Sequence, residues 1–403
     1  MSTASRTLRN DAQVIGFVGV AHGGSHFFQL ALPPLFPLIK AEFGTSYAEL
    51  GMVMAVYYAV SGIMQTAAGF FVDRLGARNV LVFGLAAAAI GTMLYAAAPS
   101  YGFLLAAAVI AGLGNSVFHP ADLALLNAKV DPTRLGHAFS VHGIGGNIGW
   151  ALAPMFGVAI SSMVGWRGSL VAAGLLGLAF TAVFASQSRL RTRAAHAAHA
   201  AVPRSLAADF QLLSSPAVVL GFVFFLVYAM ALIGYQTFST TAMVTIYEVQ
   251  LVTATTALTA FLLGGALGIF VGGFVAARSA RHGSIAATGL LLSAGCSALL
   301  AAGVVPPVLL AAVAGVAGFF LGMIGPSRDI LIRGIAPVES RGKVYGFVYS
   351  GLDLGGLVAP LIFGLAIDRG APALVFAGAT VLLLLAIPTA LQVSRRPRAP
   401  VPA

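Results

Sequence analysis

Apolar stretches long enough to cross a lipid bilayer recur along the whole chain, and they restrict the folds that it can adopt. The stretch VLVFGLAAAAIGTMLYAAA (residues 80–98) is one of twelve such candidates between residues 14 and 392. About 20 helical residues, each rising ~1.5 Å, cover the ~30 Å hydrocarbon core of a membrane. The candidates show a helical rather than an alternating pattern, which disfavours a β-barrel. The sequence therefore predicts an all-α membrane protein with twelve transmembrane helices.

The composition agrees with a membrane protein and argues against a nucleic-acid partner. The chain is 59% hydrophobic and 8% charged, whereas soluble domains carry roughly a quarter charged residues. The net charge of +10 is distributed unevenly: Lys40, Arg167 and Arg369 fall outside, Arg328 lies within a helix, and the remaining Lys and Arg fall in segments assigned to the cytoplasm. This asymmetry predicts cytoplasmic termini in a multi-pass cell-membrane protein, the inner membrane if the source is a Gram-negative bacterium. The segment MSTASRTLRNDAQ runs into the first span, so no cleavable signal is expected.

The chain divides into two similar halves. A polar stretch over residues 188–215 separates a six-helix half at 1–187 from a second at 216–403. A shift of 206 residues superimposes glycines and prolines of one half on those of the other: Gly112 on Gly318, Pro120 on Pro326, Gly136 on Gly342, Gly145 on Gly351, Gly149 on Gly355 and Pro154 on Pro360. Such a repeat predicts shared backbone geometry, with close helix contacts at glycine and kinks at proline. It is typical of transporters whose substrate site lies between the repeats.

The loop between the second and third spans carries a family signature. GFFVDRLGARN (residues 69–79) resembles the signature loop of the major facilitator superfamily, with Asp73, Arg74 and Arg78 at its expected positions. The resemblance implies a gating role for these three residues and a fold that works by rocking one half against the other. In the second half Arg278 persists, but Ala277 replaces the aspartate, so any such gate is asymmetric.

Three further stretches narrow the resemblance. AHGGSHFFQLALPPLFPLIKAEF, GNSVFHPADLALL and GGNIGWALAPMFG look like the fosmidomycin-resistance branch of bacterial efflux proteins. That branch typically has an acidic residue where this chain has His26, and many proton-coupled drug antiporters have an arginine where this chain has Ala108. The branch resemblance implies proton-coupled efflux of a small compound.

The first span places three polar residues on one face. His22, His26 and Gln29 follow the helical period, and polar groups within a membrane usually face the bundle or a water-filled cavity. Since histidine titrates near ~6.5, His22 and His26 are candidate proton carriers and Gln29 a candidate substrate contact. The alternative is that they bond neighbouring helices and fix the packing.

Spans four and ten place opposite charges at equivalent positions. Asp122 and Arg328 coincide under the 206-residue shift, so they are a candidate gating pair between the halves. Arg328 is also a candidate contact for an anionic substrate, or it pairs locally with Asp329. His119, which precedes Pro120, is assigned to substrate binding, and a packing role is equally open.

Spans five and eleven carry a second equivalent pair. Asp353 is an isolated carboxylate about ten residues into its span. An unpaired carboxylate there must be protonated, paired or hydrated, so Asp353 is a candidate proton carrier. Its counterpart Asn147, and His142 one turn before Gly146, are candidate substrate-binding residues.

The remaining features bound the function. No nucleophile–base set and no metal cluster is evident, and Cys296 is the single cysteine, so we expect no enzyme, metal or cofactor beyond the proton gradient. We expect a monomer that meets protons, a small substrate and lipid. The predicted function is proton-coupled efflux of a small anionic or amphiphilic compound. Proton-linked uptake of an organic anion is the alternative, and a sensor or scaffold that has lost transport is a third class.

Overall fold

The computed structural model describes residues 3–187, 190, 206–335 and 341–395. These residues form fifteen α-helices: α1 (Thr3–Gln29), α2 (Phe36–Phe43), α3 (Tyr47–Leu75), α4 (Ala77–Ala97), α5 (Tyr101–Asn115), α6 (Phe118–Lys129), α7 (Leu135–Ser186), α8 (Leu206–Leu213), α9 (Pro216–Tyr247), α10 (Leu251–Arg278), α11 (His282–Ala301), α12 (Leu310–Met323), α13 (Gly325–Ile335), α14 (Arg341–Asp368) and α15 (Leu374–Arg395). The all-α prediction is confirmed.

Within the described part of the chain, ten stretches are long and apolar enough to cross a membrane. The stretch Pro132–Ser186 holds two of the predicted spans, which meet at Gly165, where φ is +74°. Helix α1 is not among the ten, because two histidines and a glutamine lower the hydropathy of this predicted first span. These two features account for the difference from the twelve predicted spans.

The proline positions explain where three predicted spans break. The first span ends at Gln29, and a short 3-10 turn over Pro33–Leu35 leads into α2. Spans four and ten each divide into two helices, α5 and α6 in one half and α12 and α13 in the other. Pro120 and Pro326 lie in the first turns of α6 and α13, where a missing backbone N–H costs little. The two halves therefore share a helix break at the equivalent position of spans four and ten.

Two compact units make up the chain, Met1–Ala198 and His199–Ala403. The division falls inside the predicted linker, where the structure describes Leu190 and α8. In the first unit α1 packs along α7, and in the second α9 packs along α14. Under the 206-residue shift these are the same pair of helices.

Glycines allow this close packing. A Cβ on Gly23 would lie 2.9 Å from the Gly145 carbonyl oxygen, and Gly149 packs against the carbonyl of Gly23. In the second unit a Cβ on Gly351 would lie 2.7 Å from the carbonyl oxygen of Phe222. Small residues at four-residue spacing let helix backbones approach in this way. A Cβ on Gly136 would instead meet no atom within 4 Å, so the close-contact prediction was wrong at that position.

Candidate functional site

A fully buried carboxylate lies at the centre of the first unit. The side chain of Asp122 projects from α6, one turn beyond the helix break, and is 0% exposed. Its Oδ2 atom lies 3.1 Å from His22 Nδ1 on α1 and 3.1 Å from His142 Nε2 on α7. Its Oδ1 atom is buried without a hydrogen-bond partner among the described residues. Three helices therefore contribute to one polar cluster in an apolar interior.

The imidazole rings of this cluster pack on one another. The ring of His22 stacks on that of His142, with centroids 3.6 Å apart and planes 20° apart. The centroid of His26 lies 4.5 Å from that of His22, and that of His119 lies 5.2 Å from it. His119 retains exposed surface, whereas His22 is buried. We call Asp122, His22, His26, His119 and His142 the histidine–aspartate cluster.

Gly146 makes room for these rings. A Cβ at this position would lie 2.7 Å from His26 Nδ1 and 3.0 Å from His22 Cδ2. Any side chain would therefore displace the imidazoles, since real Cβ contacts do not come this close. Because Gly146 has no side chain, the imidazoles of His22 and His26, on two successive turns of α1, can both pack against α7.

A tryptophan extends the cluster toward the end of α1. The indole of Trp150 stacks on His26, with centroids 4.1 Å and planes 24° apart. Its Nε1–H donates to Gln29 Oε1 at 2.7 Å, and the Gln29 amide donates to the Tyr58 hydroxyl of α3 at 3.2 Å. Gln29 is thus held by two aromatic side chains, one turn from the cluster.

The cluster geometry favours hydrogen bonding over metal binding. One ligand atom from each of His22, Asp122 and His142 lies within 4.8 Å of the other two, a spacing that a metal ion could bridge. However, a metal ion lies in the plane of each imidazole that binds it, and the rings of His22 and His142 stack almost parallel. An ion midway between them would be well out of both planes. A shared proton tolerates this arrangement better, so the absence of a metal stays a prediction.

Asn147 is directed back to its own helix. Its amide donates to the carbonyl of Gly143 at 2.9 Å. It lies on α7 between His142 and Trp150, but no contact joins it to the cluster within the described residues. Its substrate-binding role stays a prediction.

The candidate residues of the second unit are separate from one another. Arg328 Nε donates to Asp329 Oδ1 at 2.9 Å, and its guanidinium lies 4.9 Å from the ring centroid of Phe225 and 5.3 Å from that of Tyr228. The local pair, one of the three alternatives for Arg328, is therefore present. Asp353 lies half-buried on α14 without an ion pair or hydrogen bond to the described residues. Asp122 and Arg328 each have partners in their own unit, and the gating pair stays a prediction.

The signature loop joins α3 to α4 through Gly76, where φ is +81°. Arg78 donates to the backbone carbonyl of Ala185, which ties the start of α4 to the end of α7. Asp73 and Arg74 are exposed, and in the described part of the chain neither forms an ion pair. Of the three loop residues predicted to act in gating, Arg78 has a structural partner.

Sequence reasoning missed Trp150 and Tyr58. A signal for Trp150 was present, because His142, Gly146 and Trp150 recur every four residues and so share one helix face. Tyr58 carried no such signal, since its contact with Gln29 joins α3 to α1 across a distance that only the fold sets. Asn115, whose amide donates to Ser61 Oγ at 2.8 Å, likewise joins α5 to α3.

Comparison with known proteins agrees with this architecture. The family model of the Major Facilitator Superfamily matches residues 18–256 and 238–403. In structure, the chain resembles a bacterial homologue of the human lysosomal transporter Spinster, described as inward-facing and occupied. That similarity has a TM-score of 0.75 and 14% identity over 95% of this chain and 97% of that one, which shows a shared fold.

Two curated relatives show how far the sequence similarity extends. The fosmidomycin resistance protein of Escherichia coli is 28% identical over 181 residues, which are 45% of this chain and 44% of that protein. The match thus covers less than half of that relative. A membrane sensor protein of Salmonella typhimurium is 27% identical over 356 residues, 79% of this chain and 78% of the sensor. With the family model matched along nearly all of its length, the chain belongs to the Major Facilitator Superfamily of transporters.

Proposed function

We propose that the protein is a proton-coupled antiporter that exports a small anionic or amphiphilic compound from a bacterial cell. The observation that carries this proposal is the fully buried Asp122 carboxylate, which two histidines share. An ionised carboxylate inside a membrane is costly unless it is paired or protonated. Two imidazoles beside a carboxylate allow it to be paired whether the cluster holds an extra proton or has lost it. This is because histidine can gain or lose a proton near neutral pH.

The cluster also has a route for protons. His119 retains exposed surface, and its ring lies 5.2 Å from that of the buried His22. A proton that arrives at His119 could therefore reach Asp122 through a single further imidazole. Such a step requires small ring rotations rather than movement of a helix, which suits a site that must load and unload in every transport cycle.

The efflux direction rests on similarity. The fosmidomycin resistance protein matches the chain over 181 residues, and the segment GGNIGWALAPMFG of α7 contains Gly146 and Trp150, which pack against His26. We place both termini in the cytoplasm and the protein in the inner membrane, because the Lys and Arg outside the spans favour one side of the membrane.

Proton-linked uptake of an organic anion is the second candidate. The observation that favours it is Arg328, whose guanidinium lies against the rings of Phe225 and Tyr228. Its Nε uses one of five N–H donors on Asp329, and planar guanidinium groups suit carboxylates. The two candidate functions use the same residues. They differ in whether protons move against the compound or with it.

The direction of proton movement can be measured in proteoliposomes that carry a lumenal pH dye and start with an acidic lumen. The compound panel includes fosmidomycin and small monocarboxylates. Lumenal alkalinisation that depends on a compound supports antiport, whereas acidification beyond leakage of the free acid supports uptake. Asp122→Asn should abolish either signal, and Asp131→Asn, a change at a partly exposed loop carboxylate, should leave it intact. A wild-type signal in Asp122→Asn would overturn the proposed role of the cluster.

A further inference from the structure

Trp150 contacts two different functional groups with two different parts of its side chain. The face of its indole covers His26, and its N–H binds the Gln29 amide. One residue therefore touches both a candidate proton carrier and a candidate substrate contact. His26 and Gln29 lie on the same helix, α1, while Trp150 projects from α7.

The face of an indole distinguishes the two protonation states of an imidazole. Its negative electrostatic potential attracts a cation and is nearly indifferent to a neutral ring. His26 Nδ1 is buried without a hydrogen-bond partner among the described residues. The stacked indole therefore offsets part of the cost of protonating His26 at this buried position. A change in that attraction moves the indole, and with it the N–H that holds Gln29.

We propose that Trp150 is a positioning residue that transmits the protonation state of His26 to the side chain of Gln29. This inference rests on the proposed function, since it assumes that Gln29 meets the substrate. The orientation of the Gln29 amide depends on the position of the indole, because the Trp150 N–H donates to its oxygen at 2.7 Å while its nitrogen donates to the Tyr58 hydroxyl at 3.2 Å. A small shift of the indole therefore changes which amide group is presented.

Several other ionisable groups influence His26. Three histidines on three helices act on it directly: His22 on α1, His119 on α6 and His142 on α7. Asp122 acts on it through its contacts with His22 and His142. Any titration seen at Trp150 must therefore be assigned to His26 by substitution, because each of these groups shifts the proton affinity of the others.

Fluorescence tests the first half of the inference without any transport. The chain has two tryptophans, so Trp166→Phe leaves Trp150 as the single indole. We expect its emission to fall as the pH is lowered through the protonation of His26, because a protonated imidazole quenches a stacked indole more strongly than a neutral one. The added change His26→Gln should remove this transition, whereas His119→Gln should shift it and keep it. Emission that is independent of pH, or unchanged by His26→Gln, would overturn the inference.

Transport kinetics test the second half. Trp150→Phe keeps an aromatic face and loses the N–H, so we expect KM for the transported compound to rise about five-fold with an unchanged pH profile. Trp150→Leu loses both, so the pH profile should shift as well. Trp166→Phe is the matched control and should match wild type. Identical pH profiles for the phenylalanine and leucine variants would overturn the transmission role.

The two proposals fail in different ways. If fluorescence titrates through His26 but no compound moves protons in proteoliposomes, the proposed function is wrong and the His26–Trp150 contact stands. If protons move with substrate while Trp150→Leu retains the wild-type pH profile, coupling is real and does not pass through Trp150.

Discussion

Asp122 is the residue on which the account depends most. It is fully buried, it follows a proline-associated helix break, and both of its recorded partners are histidines on other helices. A structural ion pair would use Arg or Lys, which stay charged at all physiological pH values. Histidine partners make the charge of the site variable, which is what a coupling proton requires.

The space reserved by Gly146 gives a prediction for one residue. Gly146→Ala places a methyl group 2.7 Å from His26 Nδ1, so His26 must move off both His22 and Trp150. We expect proton-coupled transport to fall about ten-fold and the free energy of unfolding to fall by ~1–3 kcal/mol. Gly143→Ala, on the same helix with no atom within 4 Å of its added methyl, is the matched control. Equal transport by the two variants in proteoliposomes would contradict the proposed arrangement.

At the scale of helices, the repeated elements place the site. The glycine contacts between α1 and α7 bring His22 and His26 against His142 and Trp150. The same pair of helices in the second unit, α9 and α14, packs through Gly351 and Gly355 but carries no histidines at the contact. The repeat therefore supplies a common frame, and the side chains on it differ between the halves.

An ion pair at the end of α2 gives a prediction for pH dependence. Hydrogen bonds from Arg167 and then Trp166 lower the pKa of Glu42 from its usual 4.5. A lowered folded-state pKa means that the pair stabilises the protein at neutral pH and that this contribution disappears as the pH falls through the lowered value. Because both partners are partly exposed, we expect Glu42→Gln to cost only about 0.5 kcal/mol at neutral pH.

Thermal unfolding of the purified protein at about pH 7 and about pH 3 checks this expectation. The difference between wild type and Glu42→Gln should shrink at the lower pH. In a background of Arg167→Gln, the same substitution should have a smaller effect at neutral pH, because only the Trp166 hydrogen bond remains. If the difference in thermal stability between wild type and Glu42→Gln grew as the pH fell, the expected direction of the pH dependence would be wrong.

Particular residues show what sequence could and could not predict. Helical period alone placed His22, His26 and Gln29 on one face, and the 206-residue shift predicted the shared close contacts at Gly145 and Gly351. The pairing of Asp122 with His22 was not predictable, because it joins α6 to α1 across 100 residues. Sequence comparison of the halves pointed instead to Arg328, since equivalence by repeat identifies matching positions and says nothing of contacts inside one half.

At the scale of the whole molecule, the two units carry different intramembrane charges. The first holds Asp122 among the four histidines of the cluster. The second holds Arg328, Asp329 and the half-buried Asp353. This asymmetry is consistent with the proposed function, under which the first unit would bind the proton and the second would offer a fixed positive charge to an anionic compound.

A double substitution tests the role proposed for Arg328. Arg328→Gln leaves Asp329 without its cation and should lower the free energy of unfolding by ~1–2 kcal/mol. Adding Asp329→Asn should restore stability, but transport of an anionic compound should remain at least about ten-fold impaired. Full transport by the stable double variant would assign Arg328 to packing alone. If the protein's cellular activity survives neutralisation of both Arg328 and Asp353, a sensor or scaffold that does not transport would be favoured instead.

The most direct measurement records protons released by the purified protein when substrate binds. Wild-type protein in weakly buffered detergent, with a pH dye, receives the compound that gives the largest signal in proteoliposomes. The account predicts proton release by wild type and Asp131→Asn and none by Asp122→Asn, because substrate displaces the proton that the histidine–aspartate cluster holds. Equal release by Asp122→Asn would contradict it and place the coupling proton elsewhere, with Asp353 as the next residue to substitute.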